Sequence, residues 1–186
     1  MSKYSDDELE RRMEAEITDS FDEELEMEID DQRLEKLLDE SEAELLERLR
    51  FELSDEYIVI PCLEVPRQRG AIDSEADFVI LHPRGRLVLE VKGGEIGCQG
   101  GRWYRVRQGH RESIAPPFYQ ARDNSYEIRD YLERQCGRES TEARMPFNQA
   151  MVFADVDFNA QTFECPQERI VDRAELAEHT LADIVG

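Results

Sequence analysis

The chain is poor in the residues that mark several protein classes. Its four cysteines, Cys62, Cys98, Cys136 and Cys165, are widely spaced and form no Cys-x-x-Cys. That pattern argues against a disulfide framework and a sulfur-based zinc site, and leaves reduced, partly buried thiols. The three histidines, His82, His110 and His179, are equally scattered, and His82 reads as an exposed turn residue. No run approaches the roughly eighteen apolar residues of a membrane helix, and the acidic N-terminus has no apolar signal segment. The expectation is a cytoplasmic protein with no membrane partner. There is no internal repeat, no Gly-rich phosphate loop and no Ser/His/Asp arrangement. The length suits one ordinary domain with an appendage.

Cations are also scarce, with 23 Lys and Arg against 44 Asp and Glu, a formal net charge of -21. The deficit is uneven. Met1 to Glu40 holds seventeen acids against five bases, a net of -12, and leaves -9 for the rest. In the same stretch Ser5 with Glu8 and Ser20 with Glu23 have capping-box spacing. Met13, Ile17, Phe21, Leu25 and Ile29 recur every four residues, with Leu34, Leu37 and Leu38 beyond. The pattern predicts an acidic helical extension over residues 1–40, before a domain over 41–186. Its apolar stripe needs a partner surface: the domain itself, a second copy, or another protein.

What the chain does contain is a hairpin signature. Asp77-Phe78-Val79-Ile80-Leu81 and Leu87-Val88-Leu89-Glu90-Val91-Lys92 flank the turn residues His82 to Arg86. In a period-two strand Glu90 and Lys92 share one face, and Leu89 and Val91 the other. Folding the hairpin brings Asp77 beside Glu90. Two converging carboxylates make an oxygen site for Mg²⁺ or Mn²⁺, and an adjacent lysine can polarise a water or neutralise phosphate charge. A Glu-x-Lys pair at a strand end is usually a solvated face, but Val88, Leu89 and Val91 mark this strand as buried.

Four segments in order carry a resemblance: Asp77 to Leu81; Leu89-Glu90-Val91-Lys92-Gly93-Gly94; Gly101-Arg102-Trp103-Tyr104; and Pro117-Phe118-Tyr119-Gln120-Ala121-Arg122-Asp123-Asn124. Together they resemble the nuclease-related domain, NERD, of the PD-(D/E)XK nuclease superfamily, over about two-thirds of the chain from Ser41 to Asp157. The resemblance implies a restriction-endonuclease-like α/β core, a central mixed sheet flanked by helices. It places the metal-binding aspartate on Asp77, the glutamate on Glu90 and the lysine on Lys92. It puts the Pro-Phe-x-Gln-Ala segment on Pro117 to Ala121, and with it Gln120. The first-helix glutamate that completes many superfamily metal sites falls on Glu42, although Ser41 stands where relatives often have glycine.

Local patterns bear on the last two. Ser41 with Glu44 reads as a capping box, so a helix is expected from near Glu42 to about Leu53, with Glu42 on the stripe of Leu45, Leu46, Leu49 and Leu53. Glu44 and Glu47 fall off that stripe. In a helix from Phe118 to Gln135, Gln120 and Asn124 align with Ile128, Tyr131 and Leu132, and a buried amide needs partners that a metal site offers. The plain alternative for Gln120 is a helix-terminal cap.

The arginines cluster too. Arg102, Arg105, Arg107 and Arg111 surround Trp103 and Tyr104, and Arg122, Arg129, Arg134 and Arg138 follow. Such a stripe could hold a nucleic-acid backbone, DNA first, and stack a base, or its arginines could pair with nearby acids. The acidic extension could imitate nucleic acid and occupy it, or be an ordinary solvated face. Further along, Arg102 to Arg107 and Ala150 to Phe153 read as strands, and Asp172 with Glu175 caps a last helix carrying Leu176, Leu181 and Ile184. Phe158 and Phe163 suggest a short hairpin. The order is helix, three-strand meander, helix, strand. The expected function is Mg²⁺- or Mn²⁺-dependent hydrolysis of DNA phosphodiesters. The other reading is a non-catalytic nucleic-acid-binding or scaffolding module of a larger helicase-like or defence assembly.

Overall fold

A computed structural model describes residues 37–65, 74–158 and 166–185. The acidic stretch up to residue 36 and Phe163 lie outside the described residues, and so do the expectations attached to them. From Leu38 onward the chain forms one unit. Its elements in chain order are α1 (Glu40–Glu52), β1 (Ile58–Val65), β2 (Ser74–His82), β3 (Gly85–Val91), β4 (Glu95–Gln99), β5 (Arg102–Arg107) and β6 (His110–Ser113). Then come α2 (Pro117–Cys136), α3 (Thr141–Arg144), β7 (Phe147–Phe153), β8 (Ile170–Asp172), α4 (Arg173–Glu178) and α5 (Leu181–Val185).

The hairpin forms as its pattern predicts. Phe78 pairs with Leu89, Val79 with Val88 and Leu81 with Arg86 in an antiparallel register. β7 then adds parallel to β3, aligning Glu90 with Met151. The result is a five-stranded mixed sheet in the order β1-β2-β3-β7-β8 flanked by helices, the architecture the resemblance implies. The third strand of the antiparallel part is Ile58–Val65 on the near edge, and Arg102–Arg107 sits in a separate sheet, β4-β5-β6. Pro61 explains the placement of β1, because a residue without an N–H fits an edge strand and not a central one.

Two boundaries differ from expectation. The first helix is capped by Asp39, whose Oδ1 accepts the Glu42 amide at 3.0 Å while Glu42 Oε2 accepts the Asp39 amide at 2.7 Å. The box is Asp39/Glu42 and not Ser41/Glu44. An aspartate side chain caps at least as well as serine, so the helix starts two residues earlier. The last helix does carry the predicted Asp172 cap, accepting from the Glu175 amide at 3.0 Å. It breaks at His179-Thr180 into two short helices, where Thr180 Oγ1 and Asp183 Oδ2 bond at 2.6 Å and cap a new turn.

Leu45, Leu46 and Leu49 bury the predicted α1 stripe, and Glu44 and Glu47 are exposed as expected. Ile96, Trp103, Phe118, Ala121, Met151 and Phe158 form the core where the small sheet meets α2 and β7. Among the described residues no helix is long and apolar enough to cross a membrane.

Candidate active site

The strand register decides the site. Asp77 stands across from Glu90, one step beyond the Phe78–Leu89 pair, and Asp77 Oδ2 accepts the Val91 amide at 2.7 Å. The Lys92 amide is tied to Val152 O on β7 at 2.9 Å, which turns its side chain back over the same end of the sheet. Lys92 Nζ is 3.9 Å from Asp77 Oδ2 and in direct contact with Glu90 Oε1. Asp77, Glu90 and Lys92 therefore converge as the hairpin pattern predicts. From residue 37 onward Lys92 is the only lysine, every other side-chain cation except histidine being arginine.

Glu90 is 0% exposed, and its Oε2 is buried with no hydrogen-bond partner. Burial is the main reason its carboxyl is pushed up to about 8; Lys92 opposes the shift, and Asp77 and Glu42 add to it through like charge. Burial likewise raises Asp77, against the pull of Lys92 and the Val91 amide. Glu42 is half-buried and also raised, first by burial and then by Asp77 and Asp39. Three carboxylates thus share one electrostatic site with a single lysine beside them. An ionised carboxylate in such surroundings lacks solvation, which a cation supplies.

The donor set fits a hard divalent cation in part. Asp77 and Glu90 are oxygen ligands of the type Mg²⁺ and Mn²⁺ take, and a buried Glu90 oxygen has no other partner. Among the described residues no three His, Cys, Asp or Glu side chains stand ready to hold an ion together. Two protein carboxylates with water and substrate oxygens are an ordinary Mg²⁺ set, since that ion keeps several waters. Glu42 already spends one oxygen on its cap.

The remaining expected site residues are placed differently. Gln120 is exposed, because the buried stripe of α2 runs through Ala121, Asn124, Ser125 and Ile128, one position round the helix. The buried amide is Asn124, donating to Glu75 O at 2.8 Å. Trp103 is 2% exposed, stacked on Phe158 at 5.4 Å and near Phe153 at 6.0 Å, so it is a core residue and not a base-stacking platform. Strand alternation splits the arginine stripe. Arg105 and Arg107 follow Trp103's face, while Arg102, Tyr104 and Arg111 share the outer one, with the Arg111 guanidinium 4.3 Å from the Tyr104 ring. Arg122 pairs with Asp123 at 3.0 Å and lies 4.7 Å from the Tyr119 ring.

Sequence reasoning missed several neighbours of the site. Asp155 Oδ2 accepts from the Gly94 amide at 2.5 Å and from Ser41 Oγ at 3.2 Å, joining α1 to the glycines after Lys92. Cys62 lies opposite Asp77 with a left-handed φ of 50°, and burial together with Glu75, Glu42 and Asp77 pushes its thiol up to about 11. An aspartate just past β7 and a cysteine after a strand proline carry no signal of their own; only the folded arrangement reveals them.

No curated protein and no solved structure matches the chain. The family model described as nuclease-related domain, NERD, matches residues 38–154, from the residue before the α1 cap to the residue after β7 and over more than half of the sequence, and the chain belongs to that family.

Proposed function

We propose that the chain hydrolyses DNA phosphodiester bonds with Mg²⁺ or Mn²⁺ held by Asp77 and Glu90. The observation that carries this reading is the convergence of two buried carboxylates and the Lys92 ammonium at one end of the sheet, with a Glu90 oxygen left unpartnered. The cation, when bound, supplies Lewis-acid polarisation of the phosphate and a more acidic water. Asp77 is held for that task by the Val91 amide. Lys92 Nζ, released from Glu90, orients the attacking water as an ammonium or, in its neutral amine form, takes the water's proton. Glu42 adds negative charge at the site's mouth, and its free oxygen can accept from a bound water. Gln120 is exposed at the start of α2, which supports a contact with substrate over a part in a buried network. The backbone of the DNA runs over Arg102 and Tyr104 on the outer face of β5, with Arg122 of α2 as a further cation; Arg105 and Arg107, on the Trp103 face of the strand, take no part in that surface.

The charge of -21 favours a second reading, a non-catalytic nucleic-acid-binding or scaffolding module of a larger assembly, because phosphate neutralisation normally supplies most DNA affinity. Incubation with linear, circular and single-stranded DNA, with Mn²⁺ or with chelator, separates the two. Cleavage that needs Mn²⁺ and is lost in Glu90→Gln is the expected result. DNA binding without cleavage in any metal would sink the nuclease reading and leave the module.

A further inference from the structure

A cavity of about 500 Å³ lies against the opposite side of the sheet from Glu90. Leu87 and Leu89 line it, and strand alternation turns these away from Glu90. None of Asp77, Glu90 and Lys92 contributes to its wall. Ile80, Ala150 and Val171 extend the apolar floor, and Ile184 and Val185 of α5 close one side. The volume falls within the range of roughly 300–1,000 Å³ usual for small-molecule sites.

The polar part of the wall is the opposite in charge of the chain as a whole. Arg84 and Arg169 line the cavity beside one carboxylate, Glu168, with the Arg169 guanidinium 5.9 Å from the Phe118 ring and Glu56 Oε2 3.8 Å from His82 Nε2, in a protein with a net charge of -21. Arg86 touches the cavity through its backbone side only: alternation sets its side chain with Val88 and Glu90 on the other face, where its terminal nitrogens donate to the carbonyls of Glu142 and Met145 at 3.0 and 3.2 Å. The wall also holds a flat surface. The Tyr57 and His82 rings stack at 4.4 Å and 23°, and the Arg84 amide and Nε donate to His82 Nδ1 at 3.3 and 3.4 Å, fixing the imidazole against the turn.

We propose that this cavity binds a mononucleotide, its base laid on the Tyr57–His82 pair and its phosphate directed to Arg84 and Arg169. An apolar floor, a stacked ring pair and an excess of arginine are the elements such a ligand uses, since guanidinium groups match phosphate oxygens and aromatic rings take a base by its face. The site stands apart from the carboxylates, so it does not depend on the nuclease reading.

The test is calorimetric titration of the full chain with adenosine monophosphate, adenosine and inorganic phosphate, in chelator so that no cation-dependent contact at the carboxylates contributes. The expected result is one nucleotide site, with adenosine and phosphate each weaker by about 10-fold or more, the loss of one charge-assisted contact set. Arg84→Ala and Arg169→Ala should each weaken the nucleotide about 10-fold and leave adenosine unchanged, whereas Tyr57→Ala should weaken both. Arg84 is exposed in the turn, so its removal leaves the fold intact, and thermal melts check each variant. No nucleotide binding at several millimolar, or equal binding by the wild type and both arginine variants, would overturn the proposal. Phosphate bound as tightly as the nucleotide would also overturn it, in favour of a simple anion site. Failure to cleave DNA in a separate assay would leave these outcomes unaltered.

Discussion

A β-carbon on Gly93 would stand 2.5 Å from Ser41 Oγ and 3.2 Å from Ser41 Cβ. The first turn of α1 therefore rests directly on the backbone that follows Lys92, clasped there by Asp155. Gly93→Ala must push Ser41 away and carry Glu42 with it. We expect a stability loss of about 1–3 kcal/mol, the usual result of overpacking, and slower cleavage. Adding Ser41→Gly should restore much of both, because it removes the atoms in conflict. Urea unfolding and a cleavage assay on the single and double variants check this, and a Gly93→Ala protein as stable and active as wild type would show that the contact is slack.

Lys92 separates charge from proton transfer. Lys92→Arg retains a cation but replaces an amine that can lose its proton by a guanidinium that does not. If Lys92 acts on the attacking water, Lys92→Arg and Lys92→Ala should both lose cleavage by about 100-fold or more, the lower range of a general-base contribution, and both should still bind Mn²⁺. Asp77→Ala should lose cleavage and Mn²⁺ binding together. Metal titration beside the cleavage assay reads both quantities. Full activity in Lys92→Arg would reduce the lysine to a source of charge.

Trp103 and Tyr104 are adjacent but belong to different faces of β5. Trp103→Ala removes a fully packed ring from the cluster with Phe153 and Phe158, so about 3–5 kcal/mol of stability should go. Trp103→Phe should retain most of it. Tyr104→Ala, by contrast, should weaken DNA binding and change stability less, because the ring supports Arg111 on the outer face. Denaturant melts and a DNA titration distinguish the two. A Trp103→Ala chain that melts like wild type while failing to bind DNA would reverse this assignment.

The fold and the centre of the site were legible because both rest on local pattern. The alternation around Glu90 and the turn after His82 fix the hairpin register without help from distant residues, and the register places Asp77. What was not legible depends on long-range competition. Ser41 and Asp39 offer similar caps, and only the tertiary contact of Ser41 with Asp155 shows why the aspartate takes the role. Gln120 and Ala121 differ by 100° around α2, and which faces inward is decided by packing against β7 and not by periodicity over one turn. The burial of Trp103 likewise needs Phe158, which lies 55 residues onward in a stretch whose pattern suggests only a short hairpin.

Glu90 should make stability depend on pH in an unusual direction. In the unfolded chain its carboxyl ionises near 4.5, whereas in the folded protein burial pushes it up to about 8. Between those values the native state holds a proton that the unfolded state has lost. Stability therefore falls as pH rises from about 4.5 to about 8, and the full cost is present above that window. Most paired carboxylates act in the opposite sense, so the contribution is read as a difference: the advantage of Glu90→Gln over wild type should be small near pH 5 and grow to about pH 8 or 9 in metal-free urea melts. A divalent cation prefers the ionised form, so Mn²⁺ affinity for the wild type should rise through the same window, with proton release on binding at neutral pH. Titrations in two buffers of different ionisation enthalpy would count that proton. A difference that stays flat from about pH 5 to 9 would mean that Lys92 holds Glu90 ionised throughout, and the direct contact between them would then be an ordinary ion pair.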